Sequence, residues 1–505
     1  MKLSNTLQIH LLVIIIFGIL VYANSFSNEF LYDDEHYIQK NPYIRDFSYL
    51  KDIFTKNVGA GVYRVDNFYR PIQLLAYSIV YHISGLNVFG FHLLNFLLHL
   101  SNAFLIYFFT LALFKRREMS FISSLLFMVH PIQTEAITYM NGTADPLAMF
   151  FGLLTLFFYL KMNQSIAYYF LSLISFSLAL ISKETMVILP FLVIVVDLYK
   201  GEFIKEKLGK YIPYFILMGG YILVRLTMFN FTESLNLFGA SNLYTENLHY
   251  RIFTFLASLA EYYKLLLFPI DLRYDRAMIV FISFFTPKVL FSFIFFLIFF
   301  YFAYRSFKSN KVIFLGFMWF FISLGPVSGI IPINGFVMEH WLYFPSVGFL
   351  IVLSYLMAKL NKSIYLPLLL GIAIIFSCLT IARNKDWRNQ IVFYNKILEH
   401  NPNIARVHNN LANAYKDKGM IDRAERHYKM AISLADAYAE THHNLALLYL
   451  RKGEIKEGIA ELKKAIAIND NFVYSHLSLR EVYEKLGMIE EAKQESIKID
   501  EIISK

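Results

Sequence analysis

The sequence predicts an all-α protein: a polytopic membrane helix bundle followed by a soluble α-solenoid of paired helices. Three observations carry that expectation. Hydrophobic residues make up 57% of the 505-residue chain and charged residues only 17%, with a mean hydropathy of +0.47. Soluble proteins are nearer half apolar and a quarter charged. Apolar runs long enough to cross a bilayer recur from Leu7 to residue 382. Beyond residue 383 the chain turns polar and repeats every 34 residues.

The membrane part, 1–383, opens with an apolar run from Leu7 to Ala23, preceded by Lys2. It reads as a retained signal-anchor, with Val21-Tyr22-Ala23 as a competing cleavage-site reading. A first outer loop, 24–88, follows and carries Tyr32-Asp33-Asp34-Glu35. Carboxylates at the edge of a bilayer are costly, so this cluster is a functional-site candidate. Pro71 to Ser84 is amphipathic and is expected to lie in the interface. Phe89 to Phe114 is long enough to cross, and Lys115-Arg116-Arg117 after it marks the inner side. Further spans are expected at 120–139, 146–160, 166–182, 186–199, 211–229, 287–304, 312–331, 345–358 and 364–382. The run 252–268 is expected to lie flat or re-enter, because it carries Glu261 and Lys264 and this keeps Arg305, Lys308, Lys311, Lys359 and Lys362 inside. That makes about 11 spans, with the basic loop Lys200 to Lys210 inside and the C-terminal part outside.

The C-terminal part, 384–505, holds Leu411, Leu445 and Leu479, then Tyr415, Tyr449 and Tyr483, then Gly419, Gly453 and Gly487, each set spaced by 34 residues. Ala431 and Ala465 keep the same spacing. This is the tetratricopeptide signature: small residues let paired helices approach, Leu and Tyr fill the seam, and Gly opens the turn. A partial repeat at 386–402 leads into repeats at about 405–438, 439–472 and 473–505. Such stacks present concave peptide-binding surfaces, and Asn410, Asn444, Tyr415 and Tyr449 are candidates for lining an acceptor groove.

Net charge is +9 with a pI near 9.1. The basic residues sit in short clusters between apolar runs, which reads as topology signal and excludes a nucleic-acid surface. The single cysteine, Cys378, excludes an intrachain disulfide and a multi-cysteine metal site.

Polar motifs gather at the outer ends of the expected spans. They are Asp33-Asp34, Tyr69-Arg70-Pro71, the stretch from His130-Pro131 to Glu135, Asn141 to Asp145, Ser182-Lys183-Glu184, and Glu339 to Ser346. Pro131 is expected to break the helix beside a cavity. His130 and Glu135 do not share a helical face, so they do not make a metal pair. A carboxylate can take a proton from a hydroxyl acceptor. Arg70, Lys183 and His340 can hold a phosphate leaving group. Tyr69, His130, Glu135, Asp145, Glu184, Glu339 and Tyr343 are candidate substrate contacts. A membrane cavity suits a lipid-linked donor.

In order along the chain, several stretches resemble GT-C-fold glycosyltransferases of the transmembrane-and-tetratricopeptide O-mannosyltransferase type. They are Phe30-Leu31-Tyr32-Asp33-Asp34, Tyr69-Arg70-Pro71, Gly85-Leu86-Asn87 to Asn95, His130 to Ala136, Ser182-Lys183-Glu184 and Glu339 to Gly348. The resemblance implies an enzyme that moves a sugar, often mannose, from a polyprenyl-phosphate donor to a protein hydroxyl. It implies a catalytic acid at Asp33 or Asp34, with Asp34 expected as base and Asp33 positioning. Where that family is expected to carry Glu-Arg, this chain has Glu339-His340, and Phe344 stands in the following run. No cofactor is implied with certainty, and a divalent metal near Asp33 and Asp34 remains open. The expected partners are the lipid-linked donor, membrane lipid and a protein or peptide acceptor bound by the repeats. The expected location is a bacterial inner membrane with periplasmic repeats, the alternative being an endoplasmic reticulum membrane with lumenal repeats. The competing readings are a non-catalytic scaffold whose repeats recruit partners, and a transporter, which would place its polar groups near the midplane.

Overall fold

The computed structural model describes residues 5–64, 66–202, 208–231, 243–274, 276, 279–333 and 335–504. Lys2 and the middle of the basic loop 200–210 lie outside the described residues. Among the described residues every regular element is helical. The chain divides into two compact units, Met1–Arg388 and Asn389–Lys505.

In the first unit, five described helices are long and apolar enough to cross a membrane: Asn5–Ser25, Val88–Phe114, Met140–Lys161, Pro287–Ser309 and Lys362–Trp387. Ile166–Leu180, Lys311–Val327 and Ser346–Met357 are apolar but shorter. The 27 residues of Val88–Phe114 rise about 40 Å, more than the hydrocarbon core of a bilayer. Its start is capped by Asn87, whose side chain accepts the Phe89 N–H at 3.0 Å. The amphipathic stretch forms a helix at Pro71–Ser84, started by Pro71 and stopped by Gly85 at φ 61°.

The run 120–139 is not one span. An α-helix covers Arg117–Val129, then a 3₁₀ turn Pro131–Gln133 and a short helix Thr134–Thr138. Pro131 has no N–H to continue the ladder, and the His130 ring accepts the Ile132 N–H at 3.1 Å instead. The expected span 186–199 likewise starts late, at Leu189, after a 3₁₀ turn Glu184–Ile188. The stretch 252–268 lies within one helix, Leu248–Leu267.

The bundle core is apolar, centred on side chains such as Ile106, Phe109, Leu126, Leu153, Trp319 and Leu350. Several of its buried polar groups pair internally, as a dry interior favours. The Tyr343 hydroxyl sits 2.8 Å from His99 Nδ1 and accepts the Asn102 amide at 3.3 Å. Helices Lys311–Leu324 and Ser346–Met357 approach so closely that a Cβ on Gly316 would meet the Gly348 carbonyl at 2.6 Å.

The second unit begins with Gln390–His400. Three helix pairs follow: Ala405–Asp417 with Ile421–Leu434, Ala439–Lys452 with Ile455–Ile468, and Val473–Lys485 with Ile489–Ile503. Gly419, Gly453 and Gly487 turn the chain at φ 75°, 82° and 72°. A Cβ in that left-handed region is disfavoured. Gly453→Ala is therefore expected to destabilise this unit by about 1 kcal/mol, read as a lower denaturation midpoint.

A second 34-residue period runs through this unit. His408, His442 and His476 each join the following helix and the preceding loop. His442 Nδ1 lies 2.5 Å from Glu461 and Nε2 lies 2.8 Å from Asp436. The Glu461 bond, helped by Asp436 and opposed by burial, raises the His442 pKa above its ordinary value. A raised folded pKa contributes stability that is complete below the unfolded pKa of about 6.5 and is lost as pH rises through the folded value. Amide protection in 439–468, corrected for intrinsic exchange, should fall across that window. His442→Gln should flatten the fall.

Candidate functional site

Asp33 and Asp34 leave the first helix in different environments. Asp34 is fully buried; its carboxylate accepts the Leu31 N–H and the Asn141 N–H, both at 2.8 Å. Burial raises its pKa well above the usual carboxylate range, the neighbouring Asp33 charge adds to this, and the two amides oppose it. Asp33 keeps 23% of its side-chain surface and pairs with Arg64 at 2.9 Å. Its own N–H donates to the Tyr139 hydroxyl at 3.2 Å. One acid thus ties two loops together, while the other is presented.

The three candidate cations each face a candidate acid. Arg70 forks onto Glu184, with contacts of 2.7 and 3.2 Å, and lies over the Phe68 ring. Burial would push the Glu184 pKa up, but the Arg70 charge and hydrogen bonds prevail and hold it below its ordinary value. Lys183 pairs with Asp145 at 2.6 Å. His340 Nδ1 lies 2.8 Å from Glu135 Oε1, and the His340 N–H donates to Glu135 Oε2 at 3.0 Å. Lys183, Asp145 and His340 line one cleft with Thr185, Ser323 and Trp341, of about 380 Å³ with its open mouth included. His340 keeps 25% of its side-chain surface there.

Other candidates are committed elsewhere. Glu339 is fully buried between Arg276 at 3.2 Å and Arg383 at 3.3 Å. His130 is fully buried, its Nε2 directed at the Leu266 carbonyl at 3.1 Å, so it serves the helix break rather than a substrate. Tyr69 donates to the Phe54 carbonyl at 2.9 Å and stacks on Phe229. Tyr343 is buried in the bundle core and cannot touch a substrate from there. In the repeat unit, Tyr415 and Tyr449 are 6% and 8% exposed and fill the seam instead of lining a groove. Asn410 and Asn444 stay half-buried, and Asn444 donates to Asn409 at 3.3 Å.

Arg64, Arg276 and Arg383 were missed by sequence reasoning, because single arginines near apolar runs read as topology signals. Among the described residues no group of three or more His, Cys, Asp or Glu side chains is placed to hold a metal ion.

The family described as dolichyl-phosphate-mannose-protein mannosyltransferase matches residues 71–228, and tetratricopeptide repeats match 393–426 and 439–472. A Caenorhabditis elegans protein O-mannosyl-transferase is 25% identical over 452 residues, covering 85% of this chain and 63% of that protein. Human protein O-mannosyl-transferase TMTC1 is 26% identical, covering 83% of this chain and 54% of its own length. Human TMTC3 is 26% identical, covering 81% and 50%. The chain is similar to the transmembrane-and-tetratricopeptide O-mannosyltransferases. It spans between half and two-thirds of the length of these three relatives. With its candidate spanning helices, that likeness makes it a multi-pass membrane protein. The matched segment 71–228 contains Glu135, Asp145, Lys183 and Glu184; Asp33, Asp34 and His340 lie outside it.

Proposed function

We propose that this chain is a GT-C-type glycosyltransferase that moves a sugar, mannose first among the candidates, from a polyprenyl-phosphate donor to a hydroxyl on a protein. The observation that carries the reading is the division of labour between Asp33 and Asp34. A general base needs an accessible carboxylate whose oxygens are free to take a proton from the acceptor. Asp33 meets that need beside Arg64, whereas both Asp34 oxygens are occupied by backbone amides. Asp33 is therefore the proposed base and Asp34 the positioning acid, the reverse of the sequence expectation.

The step is a single displacement. The acceptor hydroxyl gives its proton to Asp33 as its oxygen forms the new bond to the anomeric carbon. The anomeric carbon–oxygen bond to phosphate breaks, and the phosphate leaves on its lipid with the electron pair. Lys183 and His340 line the same cleft and can receive the developing phosphate charge. Each already faces a carboxylate, so a phosphate would compete with Asp145 or Glu135 for it. The repeat unit is proposed to bind the acceptor protein through a surface that includes Asn410 and Asn444. The basic triplet after Val88–Phe114 supports an outer-face site, periplasmic in a bacterium or lumenal in the endoplasmic reticulum.

The test is transfer of labelled mannose from polyprenyl phosphate to a serine- and threonine-containing peptide by the purified chain in lipid. Labelled peptide from wild type and little from Asp33→Asn is expected. Equal labelling by both would take the base role from Asp33, and no labelling by either would overturn the reading and favour a scaffold.

A further inference from the structure

Four aromatic rings from distant parts of the first unit meet beside Asp33. Tyr274 is the hub: its ring centre lies 5.8 Å from Tyr32, 6.3 Å from Tyr139 and 5.6 Å from Trp387, edge-on to all three. Tyr139 and Trp387 stack on each other at 5.5 Å. These two are buried, whereas Tyr32 and Tyr274 keep part of their surface. The Tyr139 hydroxyl accepts the Asp33 N–H, which ties the cluster to the acid.

We propose that this cluster is a pyranose platform, its partly exposed rings Tyr32 and Tyr274 facing the sugar and the Asp33–Arg64 pair at its polar rim. It rests on the sugar-transfer reading above and names the residues that would seat the sugar.

Simple core packing does not account for the arrangement. The chain has 51 Phe, yet all four rings are Tyr or Trp, which pair an apolar face with a polar edge. Two of them, Tyr32 and Tyr274, are only half-buried. Tyr32 also holds φ at 50°, in the left-handed region that a bulky residue avoids. Such backbone strain clusters at ligand sites, where the surrounding structure enforces it. It sets the Tyr32 ring against Tyr274 and starts the turn that carries Asp33.

A pyranose has the complementary form. Its C–H face packs on an aromatic face, and its hydroxyl edge needs a few directed polar partners. Asp33 can accept from hydroxyls and Arg64 can donate to them. Aromatic boxes also take quaternary ammonium ions, but two cations already stand here. The Arg383 guanidinium lies 5.7 Å from the Trp387 ring centre, and Arg64 neutralises Asp33. Each guanidinium is matched by a carboxylate, Arg64 by Asp33 and Arg383 by Glu339 and Asp386, so the rim offers paired donors and acceptors that suit a neutral polyhydroxylated ring and no unpaired negative charge to draw an ammonium ion.

The experiment is saturation-transfer NMR on the full chain in lipid nanodiscs, with methyl mannoside as probe and cyclohexanol and tetramethylammonium as controls. Wild type is expected to give a saturable signal with the glycoside and neither control. Tyr274→Leu is expected to weaken binding by about fivefold or more, and Tyr274→Phe, which keeps the ring, to stay near wild type. Tyr32→Leu, on a separate segment, should reproduce the loss, so the outcome does not depend on one variant folding. No saturable glycoside signal in wild type, binding at the wild-type level by both Leu variants, or preference for tetramethylammonium would overturn the proposal. The readout is binding, so a chain that transfers nothing can pass it and an active transferase can fail it.

Discussion

Asp33→Asn is expected to lower sugar transfer about 10²- to 10⁴-fold, the usual contribution of a general base, with the thermal midpoint unchanged. Asp34→Ala is expected to lower the midpoint as well as the rate. The contrast follows from what each carboxylate touches. Asparagine at position 33 keeps the shape and can still accept from Arg64, but it cannot take a proton from the acceptor. Since the Arg64–Asp33 pair is partly exposed, its loss costs little stability. Removing the Asp34 carboxylate strands the Leu31 and Asn141 amides in a buried site, each at about 1–3 kcal/mol. It also frees the loop at Asn141 from the loop that presents Asp33. Asp34→Asn is milder, because its amide oxygen can satisfy one of the two donors. Transfer rate and thermal midpoint measured on the same preparations separate the roles. A rate loss with Asp34→Asn that exceeds the loss with Asp33→Asn, at equal midpoints, would return the base to Asp34.

The parts of this fold that were legible in the sequence are those written in local spacing. Pro71 and Gly85 bound an amphipathic stretch, and the helix runs Pro71–Ser84. The Leu, Tyr and Gly ladders at 34-residue spacing mark helix pairs, and helix pairs form there. The His408, His442 and His476 ladder was equally present but hidden, because histidine is no part of the repeat signature; its partners identify it. What spacing cannot carry is pairing across the fold. Arg70 and Glu184 are 114 residues apart, and Glu135 and His340 are 205 apart. The sequence presents these groups as acids and bases at the ends of apolar runs; which acid meets which base depends on how the helices pack. The same holds for Tyr274, which reads as a loop residue until the fold sets it against Tyr32 and Trp387. For Asp33 and Asp34 the choice rested on burial, a property of the folded chain alone.

Glu339→Gln is expected to destabilise the membrane unit by about 3–5 kcal/mol, the usual loss when one partner of a buried ionic group is removed. Glu339 is fully buried, and the two guanidiniums it bridges, Arg276 and Arg383, are each only 9% exposed. Its carboxylate also accepts the Arg273 N–H. Glutamine fills the same space but leaves two buried positive charges facing each other, compensated only in part by Asp386 and Glu135 near Arg383 and by Asp271 near Arg276. The loss comes from uncompensated charge, not from a missing contact, so it should be recoverable. Glu339→Gln combined with Arg276→Met removes one charge of each sign, and the double variant is expected to be more stable than Glu339→Gln by itself. Arg276→Met alone leaves Glu339 with Arg383 and should cost less than Glu339→Gln. Denaturant-induced unfolding of the four proteins in detergent closes the cycle. If the double variant is instead as unstable as the two single losses added together, charge imbalance is not the cause, and Glu339 acts through packing.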